Sequence, residues 1–530
     1  MSRAEVIACG YGLAGLALAP QASPMLVALD RVLLHQKYSL VTVPLGLLLY
    51  YTIFGALCSL LVFGISRIRE GWVRRLGFAL LICVGLRLAR YVFLMWMKTP
   101  RAWSVSRNVL HLLSIVIVVL AVVSAHWFYT TLKKFQFLIP GIGIFALLMW
   151  FQLVRFAVAT DRVSRQPGPT LAAAFPQSPL KHRVVWIVFD ELSYREMFDR
   201  ASANGLSLPT FDSVRAHSVS FRNVVPAAYM TEFAVPGLFL GTTVEDVGAG
   251  NPRQLTVHYA GNDGFTAFDP QATIFGELHR QHLNSAVVGW YYPYCDLLAT
   301  VVSTCQWETD NMKNLVPGMY AEQSVWKNAT SFLRRTIQNL AGRKSDPPIR
   351  WEPVERQRSY KRIMSAAVSD IATPGNSLIF VHIPVPHPLG FFDRRTGTMS
   401  NGGSYLDNLV LADRTLQALL DAVQASKESN VTTVIVTSDH SWRVEMWRRY
   451  PHWLPEEAAA APATFDARIP MLVDFPDQHE GLEIDKPFEA LRSRSMISGI
   501  LQGEWESGEA LRAWADGDRT AQRQTAEPRH

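Results

Sequence analysis

Hydrophobic residues dominate the first 158 positions of the chain, whereas short apolar and polar blocks alternate from about position 183 onward. A helix needs about 20 apolar residues to cross the hydrocarbon core of a bilayer. Four stretches reach that length, at 40–65, 76–97, 109–130 and 136–157. A fifth, 8–33, is interrupted by Pro20 and Asp30 and fits either a transmembrane or an interfacial helix, of which we favour the first. The pattern predicts an N-terminal transmembrane domain, residues 1–158, with about five helices.

Basic residues between the predicted spans indicate how the chain is oriented, because Lys and Arg collect on the cytoplasmic side of membrane proteins. Two loops on the same predicted side are basic, one with Arg67, Arg69, Arg74 and Arg75 and one with Lys133 and Lys134. With both loops in the cytoplasm, the chain leaves its last span on the outer face of the inner (cytoplasmic) membrane. Arg87 and Arg90 lie inside a predicted span and fit either contact with the outer head groups or binding of an anionic lipid.

The rest of the chain has the pattern of a soluble α/β domain. Residues 159–182 are rich in Pro, Ser and Gln and are expected to form a linker, and the polar tail 520–530 is expected to be disordered. Between them, in 183–519, short apolar runs predict strands at 184–189, 377–381, 432–437 and 469–473. Helical patterns fall at 193–216, 270–283, 354–372, 404–427 and 487–501. Strands that alternate with helices predict a doubly wound domain with a mainly parallel sheet.

Hard metal ligands follow two of these predicted strands. Asp190 and Glu191 end the first run, and Asp439 and His440 end the third. The carboxyl ends of parallel strands meet at one edge of a sheet, where ligands bind. Carboxylate and imidazole groups suit zinc, manganese or another divalent ion. An Asp at a strand end is also a common helix cap or turn residue, and this alternative stays open for each pair alone.

Thr231 is the candidate nucleophile. It lies in a polar segment that leads into an apolar helical pattern, with Pro236 at an expected first-turn position. A hydroxyl at a helix N-terminus lies beside backbone N–H groups that hold anions. A bound cation also lowers the pKa of such a hydroxyl and makes it a nucleophile.

The order of these motifs resembles that of the alkaline phosphatase superfamily, in particular its sulfatase-like, membrane-anchored branch, over about residues 183–480. That branch includes phosphoethanolamine transferases, lipoteichoic acid synthases and glucan phosphoglycerol transferases. Val184–Leu192 is similar to the first strand with its metal-binding acids, and Ser438-Asp439-His440 is similar to a later metal-binding motif. His382–Pro388 is similar to the His-rich substrate segment of the family.

The resemblance implies a metal-dependent transferase that moves a phospholipid head group to a cell-envelope glycan or glycolipid. The implied metal ligands are Asp190, Glu191, Thr231, Asp439 and His440. Thr231 is the implied nucleophile. His387, with His382, is implied either to bind donor or transition-state oxygens or to protonate the leaving group. The implied substrate-binding residues are His382, His387 and His452. The soluble domain is then expected on the periplasmic or extracellular side of a multi-pass membrane anchor.

Two other functions remain open. A sulfatase-like hydrolase or phosphodiesterase would use water as the acceptor, and an inactive domain would serve as a binding or assembly module. The net charge of +6 invites a nucleic-acid partner, but the basic residues are scattered, so none is expected. Cys295 and Cys305 fit either a disulfide, in an oxidising compartment, or two free thiols. Neither has the Cys-x-Pro-x-Arg context of a formylglycine sulfatase.

Overall fold

The computed structural model describes residues 2–27, 34, 36–37, 39–78, 80–81, 85, 139–176, 179–251, 254–309, 319, 323–340, 352–449 and 453–517. The chain forms two compact units. One comprises residues 1–166 and 312–348, and the other comprises residues 167–311 and 349–530. The segment 312–348 therefore groups with the N-terminal unit, although it lies inside the range expected for the soluble domain.

The helices and strands within these residues are numbered here in chain order. The helices are α1 (Arg3–Val27), α2 (Thr42–Arg67), α3 (Ile139–Arg165), α4 (Pro209–His217), α5 (Thr231–Leu240), α6 (Ile274–Arg280), α7 (Tyr294–Leu298), α8 (Val325–Leu340), α9 (Glu352–Ala372), α10 (Tyr405–Ala425), α11 (Val444–Trp447), α12 (Pro455–Ala460), α13 (Ser493–Gln502) and α14 (Gly508–Gly517). The strands are β1 (Arg183–Asp190), β2 (Val219–Val225), β3 (Val244–Asn251), β4 (Gln254–Tyr259), β5 (Thr266–Ala267), β6 (Asn284–Trp290), β7 (Thr304–Glu308), β8 (Asn376–Pro386), β9 (Gly390–Asp393), β10 (Thr398–Gly403), β11 (Thr432–Ser438), β12 (Ile469–Asp474), β13 (Leu482–Ile484) and β14 (Phe488–Glu489).

The first unit contains helices α1, α2, α3 and α8. Among the described residues, Thr42–Arg67 and Gly141–Arg165 are long and apolar enough to cross a membrane, by length and composition. The predicted span 109–130 lies outside the described residues, and 76–97 lies almost entirely outside them, with Arg87 and Arg90. Two of the predicted spans, 40–65 and 136–157, thus correspond to long apolar helices in the structure, whereas the domain of about five transmembrane helices stays a prediction.

Helix α8 packs along the first half of α2. The Tyr50 hydroxyl lies 3.2 Å from Thr336 Oγ1, and its ring meets Phe332 edge-on at 4.6 Å between centroids. Nearer the start of α2, Asn328 donates a hydrogen bond to the Thr42 carbonyl across 3.3 Å. The contacting residues of α8 recur at helical spacing and are buried, so one face of this helix is committed to the N-terminal unit.

The second unit is built on a central sheet in the order β13-β2-β12-β11-β1-β8-β6-β7, with β14 beside β2. Strands β11, β1, β8, β6 and β7 are parallel neighbours. Strand β12 is antiparallel to both β11 and β2. The predicted mainly parallel sheet is confirmed, and the apolar run 469–473 forms its antiparallel member. Strands β2, β6, β7, β13 and β14 of this sheet were not anticipated, and β14 lies inside the predicted helical pattern 487–501.

The register of the central strands brings the predicted ligands to one edge. All eight residues of β1 are buried, which explains its continuous apolar run. Val188 pairs with Thr437 on β11 and with His382 on β8. Asp190 and Asp439, two residues after Val188 and Thr437, therefore lie at the neighbouring ends of β1 and β11.

Helix α10 shows how local sequence positions the covering layer. Ser404 Oγ accepts a hydrogen bond from the Asp407 N–H across 3.0 Å, and Asp407 Oδ2 accepts one from the Ser404 N–H across 2.9 Å. This capping box fixes the start of the helix. Further along, Asp413 accepts hydrogen bonds from Phe211 N and Thr210 Oγ1, each across 3.0 Å. Asp413 therefore anchors the first turn of α4 to α10.

Cys295 and Cys305 form a disulfide, with Cα atoms 5.5 Å apart. The bond joins helix α7 to strand β7, at the edge of the sheet. Of the two alternatives open from the sequence, the structure has the bonded pair. Cys9 and Cys58 are free thiols.

Candidate active site

Four polar side chains meet where β1, β11 and α5 converge. Thr231, the first residue of α5, places Oγ1 3.2 Å from Nε2 of His440. That nitrogen lies 3.4 Å from Asp439 Oδ2 and 3.9 Å from Asp190 Oδ1. Asp190, Asp439 and His440 are all buried and form a group able to hold a metal ion. The structure therefore brings four of the five predicted metal ligands to one point.

Each aspartate has one oxygen held by the protein. Asp190 Oδ2 accepts a hydrogen bond from Trp290 Nε1 across 2.8 Å. Asp439 Oδ1 accepts hydrogen bonds from the N–H groups of His440 and Glu191, across 2.7 and 3.1 Å. The other oxygens, Asp190 Oδ1 and Asp439 Oδ2, are buried and make no hydrogen bond within the described residues. Buried carboxylate oxygens without donors are costly, and a cation between them removes that cost.

The hydrogen bonds of His440 determine which ring nitrogen is available. Nδ1 lies 3.0 Å from the Ser441 carbonyl oxygen, which can only accept, so Nδ1 carries the hydrogen. The lone pair on Nε2 therefore points toward Thr231 and the aspartates. Burial, and secondarily the charge of Arg443, lowers the pKa of His440 to about 4. A neutral ring oriented by a carbonyl is the form that binds metals.

Electrostatics at the strand ends also favour a cation. Burial raises the pKa of Asp190 well above its ordinary value, and the neighbouring carboxylates of Asp439 and Glu191 raise it further. A divalent ion at this point would reverse both effects, because it compensates charge where water is excluded. Two carboxylates, an imidazole and a hydroxyl are a donor set that suits zinc or manganese.

Glu191, the fifth predicted ligand, has a different environment. Its backbone is left-handed, with φ 66°, and its carbonyl accepts a hydrogen bond from Tyr405 Oη across 2.7 Å. Its carboxylate accepts hydrogen bonds from Arg443 Nε across 2.7 Å and from Trp447 Nε1 across 2.9 Å. Asp190, Glu191 and His387 form a second group with metal-binding spacing, so geometry alone leaves a second ion possible there.

His387 lies across Glu191 from the metal cluster. Its Nδ1 is 3.0 Å from Arg356 Nη1, and because a guanidinium only donates, Nδ1 accepts and Nε2 carries the hydrogen. Nε2 lies 3.9 Å from Glu191 Oε1. Burial, with the charges of Arg356 and Arg443, holds the pKa of His387 well below its ordinary value. His387 is therefore a neutral N–H donor at the edge of the site.

The other two predicted histidines differ in how they are placed. His382 is fully buried on β8, where Nδ1 lies 2.9 Å from the Trp290 carbonyl oxygen and 2.7 Å from Tyr294 Oη. Its Nε2 lies 4.0 Å from Asp439 Oδ2 and has no hydrogen-bond partner within the described residues. His382 therefore borders the metal cluster from within the core. His452 lies outside the described residues.

Helix α5 begins at Thr231, so the expectation that Pro236 occupies its first turn is wrong. Pro236 lies inside the helix and is buried. Proline has no N–H to donate to the carbonyl four residues earlier, that of Glu232. Tyr292 donates its hydroxyl to that carbonyl instead. The tyrosine thus satisfies the acceptor that proline leaves open, and the helix continues with Thr231 at its N-terminus.

Sequence reasoning missed the partners that orient the ligands, above all Trp290, Arg356 and Arg443. Arg443 follows His440 by three residues, so its proximity was available from the motif itself. Arg356 lies on α9 and Trp290 at the end of β6, and nothing in their local patterns marks them. Only the packing of β6 and α9 beside β8 brings them to the site.

Among solved structures, the chain is similar to the lipoteichoic acid synthase LtaP from Listeria monocytogenes, with a TM-score of 0.35 and 12% identity over 62% of this chain and 75% of the other. The chain is also similar to the phosphonate monoester hydrolase of Agrobacterium radiobacter, with a TM-score of 0.37 and 13% identity over 61% of this chain and 74% of the other. A third similar structure is a protein in the alkaline phosphatase superfamily from Vibrio parahaemolyticus, with a TM-score of 0.33 and 13% identity over 63% of this chain and 68% of the other.

The comparison with curated protein sequences gives no significant match. The family model described as Sulfatase matches residues 182–493, which is more than half of the chain and includes every described residue of the candidate site. This agrees with the motif order seen in the sequence. The chain belongs to the sulfatase family.

Proposed function

We propose that the protein is a membrane-anchored, metal-dependent phosphotransferase. It moves a phospholipid head group, of the phosphoethanolamine or phosphoglycerol type, through a Thr231-bound intermediate to a cell-envelope glycan or lipid. One observation carries this proposal: the Thr231 hydroxyl lies 3.2 Å from His440 Nε2, beside two buried carboxylate oxygens that have no hydrogen-bond donor within the described residues. A nucleophilic hydroxyl and a cation-binding cluster at one point are what covalent group transfer requires.

Asp190, Asp439 and His440 would hold the divalent ion, which supplies Lewis acidity and favours the alkoxide form of a hydroxyl. Thr231 lies at the N-terminus of α5, where the helix dipole stabilises negative charge on its oxygen and on the bound group. The Thr231 oxygen forms a bond to phosphorus as the bond from phosphorus to the diacylglycerol oxygen breaks.

His387 Nε2 carries a hydrogen and would donate a hydrogen bond to the leaving diacylglycerol oxygen. Because the ring is neutral and has no second proton to give, the proton that Thr231 loses on forming its bond to phosphorus passes to the diacylglycerol oxygen in the first half-reaction. In the second, the acceptor hydroxyl attacks the same phosphorus, and its proton passes to the Thr231 oxygen as that oxygen leaves. The two half-reactions restore the enzyme, so the cycle balances without a further reactant.

The apolar helices support a lipid donor over a soluble one, since they would hold the site close to a bilayer. A hydrolase with water as acceptor uses the same nucleophile and stays as the second candidate. An inactive binding module is disfavoured, because Thr231, Asp190, Asp439 and His440 lie together with the spacing of a working site.

The disulfide supports an external location of the second unit, because a Cys295–Cys305 bond fits an oxidising compartment. The basic Arg67 end of α2 is expected in the cytoplasm, in agreement with the orientation that the loop charges predict.

The test is to incubate the purified full chain, in lipid vesicles with phosphatidylethanolamine or phosphatidylglycerol, and to locate any adduct by peptide mass spectrometry. The proposal expects a phospho-substituent on Thr231 and release of diacylglycerol. An adduct on another residue would remove Thr231 from this role. Release of head group at the same rate and in the same form, with or without a glycan acceptor, would favour the hydrolase.

A further inference from the structure

Arg443 brings a positive charge of the protein's own into the candidate site. Its Nε donates to Glu191 Oε1 across 2.7 Å, Nη2 donates to the same oxygen, and its backbone N–H donates to Oε2 across 3.3 Å. A guanidinium is not deprotonated in proteins, so Arg443 carries its positive charge beside the metal cluster.

The carboxylates of the site divide into two kinds. Both oxygens of Glu191 already accept hydrogen bonds, from Arg443 and from Trp447 Nε1. Asp190 Oδ1 and Asp439 Oδ2 are buried without a donor among the described residues. Only the aspartates therefore need an external cation, whereas Glu191 has its countercharge in the chain itself.

One edge of the Arg443 guanidinium remains open. Nη1 makes no hydrogen bond within the described part of the chain, and the Arg443 side chain is 15% exposed to solvent. His387 Nε2 approaches Glu191 Oε1, the oxygen that Arg443 holds, to 3.9 Å. Two N–H donors, one of them charged, thus flank the same carboxylate at the margin of the metal cluster. A guanidinium edge of this kind matches the oxygens of a phosphoryl group.

We propose that Arg443 is the second cation of this centre: it neutralises Glu191 so that the centre holds one metal ion, and its Nη1 binds a non-bridging oxygen of the phosphodiester donor. This inference rests on the proposed function and assigns the residue that recognises the anionic group of the donor. It also removes Glu191 from the metal ligands that the sequence predicts.

The first test counts metal ions in the purified full-length holoenzyme by elemental analysis. One ion per chain is expected in the wild type and in Glu191→Gln, whereas Asp439→Asn is expected to lose it. Arg443→Ala removes the countercharge of Glu191. In this variant Glu191, Asp190 and His387 are expected to bind a second ion when zinc or manganese is in excess. Two ions in the wild type, or loss of the ion from Glu191→Gln as from Asp439→Asn, would overturn the assignment.

The second test measures binding of radiolabelled inorganic phosphate to the holoenzyme by equilibrium dialysis. Because Arg443→Gln alone leaves Glu191 buried and unpaired, the double variant Glu191→Gln/Arg443→Gln is compared with Glu191→Gln. Removal of a charged hydrogen bond is expected to weaken phosphate binding roughly tenfold to hundredfold, with one ion retained. Arg443→Lys should recover part of the affinity, and Arg448→Gln should bind as the wild type does, since Arg448 pairs with Glu445 on the surface.

The outcomes separate this inference from the proposed function. Equal phosphate affinity in the double variant and in Glu191→Gln would overturn the inference while leaving a Thr231 adduct unaffected. A wild-type holoenzyme that binds no phosphate and forms no Thr231 adduct would overturn both.

Discussion

The indole N–H of Trp290 donates to Oδ2 of Asp190 across 2.8 Å, and this contact leaves Oδ1 as the oxygen without a donor at the metal cluster. Trp290 ends β6, two strands away from β1 in the sheet, so the contact depends on the order β1-β8-β6. Partners of this kind set the orientation of a metal ligand as much as the ligand's own position does.

Trp290→Phe should therefore weaken metal binding roughly tenfold to hundredfold, because Asp190 loses the donor that orients it. Titration of the metal-free protein with zinc or manganese measures the change. Trp186→Phe is the matched control: Trp186 is equally buried on β1, and its Nε1 makes no hydrogen bond within the described residues. If both variants bind metal alike, the indole hydrogen bond has no role in the centre.

Thr231→Ala should abolish turnover, by at least a hundredfold, while leaving the melting temperature close to that of the wild type. The alanine loses only a hydroxyl whose hydrogen-bond partner is His440 Nε2. Thr231→Ser keeps the hydroxyl and should retain part of the activity. Diacylglycerol release and thermal unfolding are the two measurements, and an active alanine variant would exclude Thr231 as the nucleophile.

Removal of the metal should stop turnover and lower the thermal stability, because an ion that binds only the folded state stabilises it. Chelation followed by addition of zinc or manganese should restore both properties in the wild type. Asp439→Asn should not be restored at the same metal concentration, since Oδ2 of Asp439 is one of the oxygens without a donor. Full activity in the metal-free protein would contradict a metal-dependent reaction.

Asp370 on α9 should make the stability depend on pH. Burial raises its pKa to about 6, and Oδ2 makes no hydrogen bond within the described residues. The folded state thus favours the protonated form of Asp370. The free-energy cost of ionising this carboxyl in the folded protein is therefore fully present above about pH 6. This cost disappears as the pH falls toward the pKa of the unfolded chain.

Asp370→Asn should accordingly stabilise the protein at pH 8 by about 1–2 kcal/mol, less than the whole shift implies because water screens part of the charge. The gain should vanish near pH 4. Chemical unfolding of the full chain in detergent at both pH values measures it. Asp263 lies on the surface, so Asp263→Asn should leave the free energy of unfolding unchanged at both pH values. A gain that is equal at both pH values would show that the effect is not electrostatic.

Reduction of the Cys295–Cys305 bond should destabilise the second unit by about 2–3 kcal/mol, since the bond closes a short loop of the unfolded chain. Cys295→Ser/Cys305→Ser should show the same loss without reductant. The variant Cys9→Ser/Cys58→Ser changes only free thiols and should respond to reductant as the wild type does. An unchanged unfolding midpoint after complete reduction would contradict a stabilising role.

Much of the fold was predictable where the signal is local. The continuous apolar runs of β1, β8 and β11 appear in the sequence because both faces of these strands are buried. Strand β2 was missed because three of its seven residues are not buried, so its run of apolar residues is broken. The hairpin strands β3 to β5 are mostly half-buried or exposed and carry an equally weak pattern.

The sequence by itself determined the polar residues of the candidate centre. Asp190, Asp439 and His440 directly end or follow buried parallel strands, so knowing the strands was enough to place them at one edge. Thr231 was identifiable because its polar segment leads directly into an apolar helical pattern. Its position between the Asp190-Glu191 and Asp439-His440 motifs also matched the motif order.

Only the tertiary structure decided which partner each of these residues has. Glu191 and Asp190 are adjacent in sequence, yet one is bound by Arg443 and the other keeps an oxygen without a donor. That difference arises from Arg443, directly before α11, and from Trp290 on β6, which are distant in sequence from Glu191 and Asp190 and reach them through the packing of the sheet. The charge and hydrogen bonding of a buried carboxylate depend on such distant partners, and a local sequence pattern does not contain them.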